Sequence, residues 1–211
     1  MKKRWLFLLL AIDAVLIIAH ILWGREIQLL NLDRERTPSS YYSGAKLVFI
    51  SATAWVGFMI VTRRWEKALW GLFGFLFLEL AFDEISELHE NITYYLSVYI
   101  HPSQYFRSPT YMWLVFLSPF IVAGFALLVT FARYAARQTK TLQLAVYAGI
   151  AFLFTAVSLE FLSGILKLPS FTRWSPVFEE ASEMLGATCI AFAIFSLVKE
   201  LFEKKYQKKA T

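Results

Sequence analysis

Six stretches of about 20 mainly apolar residues dominate this sequence and limit what the chain can fold into. They cover residues 5–23, 42–61, 68–88, 112–131, 142–166 and 177–198. Each is long enough to cross the hydrocarbon core of a bilayer as a helix, which takes about 20 residues. Composition agrees, because 58% of the 211 residues are hydrophobic and only 18% are charged. We therefore expect an all-α polytopic membrane protein, with six transmembrane helices in one bundle.

No linker or change of composition divides the chain, so residues 1–211 are predicted to form a single domain with a basic cytoplasmic tail over 199–211. The first stretch follows three basic residues, as in a signal peptide. It contains Asp13 and His20, however, and lacks a small-residue cleavage site. We expect it to be retained as a helix.

Lysine and arginine positions predict that both termini are cytoplasmic. With the N-terminus inside, the cytoplasmic side collects two thirds of the basic residues, as the positive-inside rule requires: Lys2, Lys3, Arg4, Arg63, Arg64, Lys67, Arg133, Arg137, Lys140, Lys199, Lys204, Lys205, Lys208 and Lys209. The outer side keeps Arg25, Arg34, Arg36, Lys46, Arg107, Lys167 and Arg173. The residues behind the net charge of +5 therefore lie mostly on the predicted cytoplasmic side. The expected partner is the lipid bilayer of the plasma (inner) membrane, and no nucleic acid is expected.

The acidic residues cluster on the opposite, extracytoplasmic side. Carboxylates inside a membrane are costly and usually functional. Nine of the 16 acids fall in the outer halves of predicted helices 3, 5 and 6: Glu79, Asp83, Glu84, Glu87, Glu90, Glu160, Glu179, Glu180 and Glu183. Because the orientation was derived from basic residues alone, this clustering is an independent signal.

A short repeat links predicted helices 3 and 6. Residues 82–88 and 178–184 both read Phe, acid, Glu, any residue, Ser, Glu, apolar residue. On an ideal helix, Glu79 and Glu87 lie about 40° to either side of Asp83, whereas His89 falls on roughly the opposite side. Glu179 and Glu183 are similarly one turn apart. The repeat predicts a paired site at one membrane surface.

Two simpler explanations for the cluster of acids are helix capping and ion pairing. Helix capping suits helix 6, where Ser175 is a natural N-cap and Pro176 fits the first turn, but it fails at the C-terminal end of helix 3. An ion-pair network is limited by the nearby bases, which are four in number: Lys46, Arg107, Lys167 and Arg173. Most of the acids therefore need another explanation.

Oxygen ligands with one imidazole suit iron, manganese, calcium or magnesium ions, so a divalent metal ion is the predicted cofactor. The ligand candidates are Asp83, Glu87, Glu179 and Glu183, with Glu160 as a deep or bridging ligand, Glu84 and Glu180 as alternatives, and Glu79 and His89 nearby. The chain lacks the Glu-x-x-His motif of di-iron bundles. A di-metal centre is therefore a hypothesis without that signature.

The predicted function is metal-dependent chemistry on a lipid-soluble substrate at the outer leaflet, with Pro119 kinking predicted helix 4 to open an access route. The chain has no Walker or Rossmann glycine pattern, so no nucleotide cofactor is expected. Its single cysteine, Cys189, excludes an intrachain disulfide framework.

Two alternatives stay open. The first is proton or cation transport through the acidic vestibule, with Asp13 and His20 on one face of helix 1 as a proton path. The simpler account is that Asp13 bonds to a neighbouring helix and His20 lies at the interface. The second is a non-catalytic subunit, in which the acidic face binds a membrane partner or a second copy of the chain.

Overall fold

The computed structural model describes residues 4–24, 26–32, 37–86, 88–97, 112–137, 140–166 and 169–210. Of these residues, 93% are helical and none is in a strand, which confirms the all-α prediction. The helices are α1 (Arg4–Trp23), α2 (Pro38–Ile60), α3 (Arg64–Ser86), α4 (Leu88–Ser97), α5 (Trp113–Phe116), α6 (Ser118–Ala136), α7 (Lys140–Ile165) and α8 (Pro169–Ala210). A single 3₁₀ turn, Gln28–Leu30, follows α1.

Five helices within this described part are long and apolar enough to cross a membrane: α1, α2, α6, most of α7, and residues Trp174–Lys205 of α8. Helix α3 has 23 residues, which is also sufficient length. Its second half carries Glu79, Asp83 and Glu84, and its first turn is charged, so its mean hydropathy is lower. Five helices thus have the length and composition of membrane spans, and a sixth span remains a prediction.

Helix α8 contacts three of the other long helices of the bundle. It packs against α7, α2 and α1, while α2 also packs against α3, and α6 contacts both α3 and α7. These contacts close a ring of α2, α3, α6, α7 and α8, with α1 lying beside it against α8. The α7–α8 contact is close because Gly149 has no side chain. A Cβ atom there would lie 2.5 Å from Cγ1 of Ile190.

The two ends of the bundle differ in charge. At one end, the last residue of α2 accepts a hydrogen bond from α8, with Nζ of Lys205 3.1 Å from the carbonyl oxygen of Ile60. The start of α3 meets the end of α6 here, where Trp65 packs edge-on against Tyr134. We call this the basic end. The acidic end is the opposite one, where α3 ends and α4 and α5 lie.

The predicted helix over 112–131 is divided, which corrects the expected kink. Helix α5 ends at Phe116, and Pro119 lies in the first turn of α6. Proline has no backbone N–H, so the carbonyl of Val115 cannot receive its helical hydrogen bond. The hydroxyl of Ser118 donates to that carbonyl instead, at 2.8 Å. The proline therefore starts a helix, since the chain before it supplies a substitute donor.

Two other boundaries also differ from the predictions. Helix α3 ends at Ser86, two residues early, and α8 extends from Pro169 to Ala210 around the predicted 177–198. Hydropathy marks the part of a helix that lies in the bilayer, whereas the helix itself continues into water where charged residues support it. Lys199 and Glu203, with 3.5 Å between Nζ and Oε1, form such a pair one turn apart.

Candidate functional site

The acidic end is centred on a bonded pair, Asp83 and His89. Nδ1 of His89 lies 2.6 Å from Oδ2 of Asp83, and the backbone N–H of His89 donates to Oδ1 at 2.9 Å. Both side chains are about one-fifth exposed. The aspartate thus accepts two hydrogen bonds from one residue, which fixes both the imidazole ring and the first turn of α4.

The prediction that His89 lies on the opposite face of helix 3 is wrong. Residues six apart in a continuous helix are about 9 Å apart along its axis, too far for the bond from Asp83 to the backbone of His89. The bond forms because α3 ends at Ser86 and a second helix starts at Leu88. Asp83 then accepts a backbone N–H in the first turn of α4, where N–H groups lack a partner within the helix.

Trp113 connects this pair to α7. Its ring centroid lies 4.5 Å from that of His89, and its Nε1 donates to Oε1 of Glu160 at 2.6 Å. One side chain from α5 therefore contacts the imidazole on one side and holds a carboxylate of α7 on the other. No motif in the sequence pointed to Trp113 as part of this site.

A third helix contributes Glu183. Its half-buried carboxyl group interacts electrostatically with both His89 and Asp83. Glu79 interacts with the same two residues, but its side chain is exposed on the surface of the bundle. Glu79 of α3 and Glu183 of α8 therefore lie within electrostatic range of the Asp83–His89 pair. The paired site predicted from the sequence repeat stays a prediction.

Capping does not explain the acids of α8. This helix starts at Pro169, so Glu179, Glu180 and Glu183 lie in its fourth and fifth turns, beyond the reach of the helix dipole. Ser175 is inside the helix, and its buried hydroxyl has no hydrogen-bond partner in the described part of the chain. The expectation that Ser175 caps this helix is wrong, because the helix begins six residues earlier.

The remaining ligand candidates are only partly placed. Glu84, Glu179 and Glu180 are half-buried at the acidic end, whereas Glu87 and the side chain of Glu90 lie outside the described residues. Among the residues that are described, no group of three or more histidine, cysteine or acidic side chains is arranged to hold a metal ion. The metal assignment therefore remains a prediction.

Lys46, expected among the bases near the acids, pairs elsewhere. Its Nζ lies 2.9 Å from Oδ1 of Asp13 and 2.9 Å from the carbonyl oxygen of Met184, and 3.3 Å from Oγ1 of Thr188. Thr188 donates to the other oxygen of Asp13 at 2.7 Å. The other three bases of that set, Arg107, Lys167 and the side chain of Arg173, lie outside the described residues.

We call Asp13, Lys46 and Thr188 the buried ionic cluster. Asp13 is fully buried, and Lys46 is 5% exposed. All three N–H groups of the lysine have an acceptor, so the charge is neutralised and its hydrogen bonds are satisfied. Such an arrangement suits the attachment of α1 to α2 and α8.

Among the described residues, no contact connects Asp13 with His20 to form the predicted proton path. Nδ1 of His20 accepts the backbone N–H of Leu32 at 2.9 Å, which ties the loop after α1 to its last turn. Asp13 points instead to Lys46 and Thr188. For both residues the simpler account fits the observed bonds, and transport remains an untested prediction.

The sequence contains a signal for the ionic cluster that the predicted site did not include. Asp13 and Lys46 are charges of opposite sign within apolar stretches, and charges at such positions usually pair. Lys46 was grouped with the outer bases, since it stands near the start of its stretch. No comparable signal existed for Thr188, because threonines are common inside transmembrane helices and often bond to their own helix.

Comparison with known families agrees with the extent of this bundle. The model of a family described as Domain of unknown function (DUF8692) matches residues 5–198. The chain belongs to the DUF8692 family. The matched range contains every residue discussed above at the acidic end and in the ionic cluster, so both lie within the family domain. No curated protein and no solved structure matches the chain.

Proposed function

We propose that the acidic end binds a divalent cation and uses it in chemistry on a lipid-soluble molecule. The observation that carries this proposal is the 2.6 Å contact between His89 and Asp83. Since the basic residues favour cytoplasmic termini, we place this end on the extracytoplasmic side of the plasma (inner) membrane.

The contact matters because it decides which nitrogen of the imidazole carries the proton. A carboxylate has no proton to donate, so the proton is assigned to Nδ1 of His89, which donates to Asp83. Nε2 then keeps its lone pair. A histidine held by a carboxylate in this way is the common arrangement behind metal-binding imidazoles, because the carboxylate orients the ring and raises its basicity.

Carboxylates would supply the other donors. Glu183 acts electrostatically on the Asp83–His89 pair from α8. One nitrogen with several oxygens favours manganese, ferrous iron, calcium or magnesium over copper. The described residues supply fewer than three converging donors, so the proposal needs at least one more oxygen, for which Glu87 and Glu179 are the sequence-based candidates.

A groove beside this site supports a lipid-soluble substrate. It has a volume of about 380 Å³ and lies between α5, α6 and α7, with Leu114, Val122 and Phe161 among its walls. Its two serines, Ser118 and Ser158, donate to carbonyls of their own chain segments, which leaves the groove apolar. Leu114 follows Trp113 directly, so the groove ends near Glu160 and His89.

Metal analysis tests the proposal. We would purify the protein in detergent, equilibrate it with manganese or ferrous ions, remove unbound ions and measure bound metal by plasma mass spectrometry. Wild type is expected to retain metal in a fixed ratio, and His89→Gln and Asp83→Asn to lose most of it. Glu203→Gln, which removes an exposed carboxylate near the basic end, is the matched control. Equal metal content in wild type and His89→Gln would refute a site centred on this imidazole.

A second candidate is acid–base chemistry at His89 without a metal. It is favoured by the absence of a three-donor group among the described side chains. In that case Nε2 of His89 accepts a proton from the substrate, and Asp83 stabilises the imidazolium that forms. Wild-type protein would then be metal-free, and Asp83→Asn, which removes the carboxylate that holds the ring, would still change the imidazole signals of His89 in nuclear magnetic resonance spectra.

A further inference from the structure

A cavity at the basic end separates α8 from the α2–α3 turn. Its volume is about 640 Å³. One part of its wall is apolar, formed by Ile60, Val61 and Leu201, and another part is formed by Lys204 and Lys205. The cavity therefore presents hydrocarbon and positive charge side by side.

One of the two lysines, Lys205, is held in place by the fold. Lys205 donates to the carbonyl of Ile60 at 3.1 Å, a carbonyl at the C-terminus of α2 that has no partner within its own helix. This bond ties the last turns of α8 to the α2–α3 turn. The walls of the cavity are thus parts of two connected helices and do not depend on a free tail.

Charge around the cavity is mostly positive. Arg63, Arg64 and Lys67 belong to the adjoining turn and the first residues of α3, and Glu66 is the acidic residue in the wall. The start of α3, a helix of 23 residues, adds backbone N–H groups and the positive end of its dipole. These groups together suit an anion more than a cation.

The depth of the cavity points to a membrane component. The apolar stretch of α8 ends at Val198, and five of the seven residues over 199–205 are charged. The cavity, lined by Leu201, Lys204 and Lys205, therefore lies where hydrocarbon meets water. We propose that it binds the phosphate headgroup of an anionic phospholipid from the leaflet at the basic end. The lysines and arginines attract the phosphate, and the apolar wall accommodates the glycerol and the first methylene groups.

This inference is independent of the chemistry proposed at the acidic end. It also exceeds the positive-inside rule, which requires basic residues in cytoplasmic loops but no cavity between two helices. A specific lipid site can be distinguished from general electrostatic attraction to the membrane. It predicts a fixed ratio of lipid to protein and different effects for lysines on different faces of α8.

The test compares two lysines of α8. Lys204 lines the cavity, whereas Lys199 pairs with Glu203 and falls on the other side of the helix by its spacing. We would embed wild type, Lys204→Gln and Lys199→Gln in nanodiscs of phosphatidylcholine with a minor share of phosphatidylglycerol, and count retained lipids by native mass spectrometry. Wild type should retain phosphatidylglycerol, Lys204→Gln should bind it about fivefold more weakly, and Lys199→Gln should resemble wild type.

A second variant keeps the charge. Thr62→Trp places a large side chain in the cavity wall and leaves every lysine intact, so it should reduce retention of phosphatidylglycerol as well. The proposal is overturned if Lys199→Gln weakens binding as much as Lys204→Gln, or if Thr62→Trp binds like wild type. Displacement of the lipid by millimolar inorganic phosphate would also overturn it, since the site would then be one for free phosphate.

Discussion

Loss of Asp13 is expected to release α1 from the bundle. Asp13 is the one buried residue of this helix among those described, and it bonds to Lys46 of α2 and Thr188 of α8. The rest of α1 is largely exposed and faces lipid in our membrane assignment. Asp13→Ala therefore removes the main polar attachment of a helix that buries little else.

The cost can be worked from the contacts. Removing one partner of a buried ion pair leaves the other charge without compensation and costs about 3–5 kcal/mol. Lys46 would keep the two neutral acceptors, Met184 and Thr188, but no anion. At about 1.4 kcal/mol per factor of ten, the equilibrium for opening the α1 contact should shift roughly 150- to 5,000-fold.

Unfolding by titration with sodium dodecyl sulfate measures this change, and limited proteolysis reports whether α1 separates first. Ile12→Ala is the control, because Ile12 neighbours Asp13 in the same helix and is exposed. The double variant Asp13→Ala, Lys46→Met removes both charges, and it should recover most of the lost stability, since an apolar replacement of a buried pair is often neutral or stabilising.

The reasoning is refuted by either of two results. If Asp13→Ala lowers the free energy of unfolding by less than about 1 kcal/mol, the pair behaves like an exposed one. If the double variant is no more stable than Asp13→Ala, the loss arises from something other than the uncompensated lysine.

Three further substitutions have defined outcomes. Thr188→Val removes the hydroxyl that donates to the buried aspartate, and should cost about 1.5–3 kcal/mol in the same detergent titration; a neutral result would show that the hydroxyl is dispensable. Trp113→Phe keeps the ring but loses the bond to Glu160, so we expect a loss of about 1–3 kcal/mol by thermal unfolding, contradicted by an unchanged midpoint. Gly149→Ala forces a Cβ into the α7–α8 contact and should cost about 1–3 kcal/mol, whereas Gly71→Ala, where a Cβ would find its nearest neighbour at 3.5 Å, should be tolerated; equal stability of the two variants would contradict the close approach.

The helices were largely predictable, since about 20 apolar residues in a row have few stable alternatives to a membrane helix. The ends of the helices were less predictable. One predicted helix is divided at Pro119, which has no N–H to donate to the carbonyl of Val115. The hydroxyl of Ser118 donates to that carbonyl instead. The extension of α8 to Pro169 and Ala210 was missed because charged residues end a hydropathy signal without ending a helix.

The acidic end illustrates the same division. The sequence repeat predicts that the acids of two helices form one site, and this stays a prediction; Glu183 lies within electrostatic range of Asp83. The predicted position of His89 was wrong, because a helical projection gives the correct face of a residue only where the helix is continuous. The contact between Trp113 and Glu160 joins residues 47 apart, and no local pattern could have indicated it.

The sequence by itself determined that this chain is helical, that it is suited to a membrane, and that its charges separate into an acidic and a basic end. These properties follow from composition and order along single helices. The tertiary structure decided the partners: His89 with Asp83, Lys46 with Asp13, and Trp113 with Glu160. Partner choice depends on where helices break and which faces meet, and those are set by packing of the whole bundle.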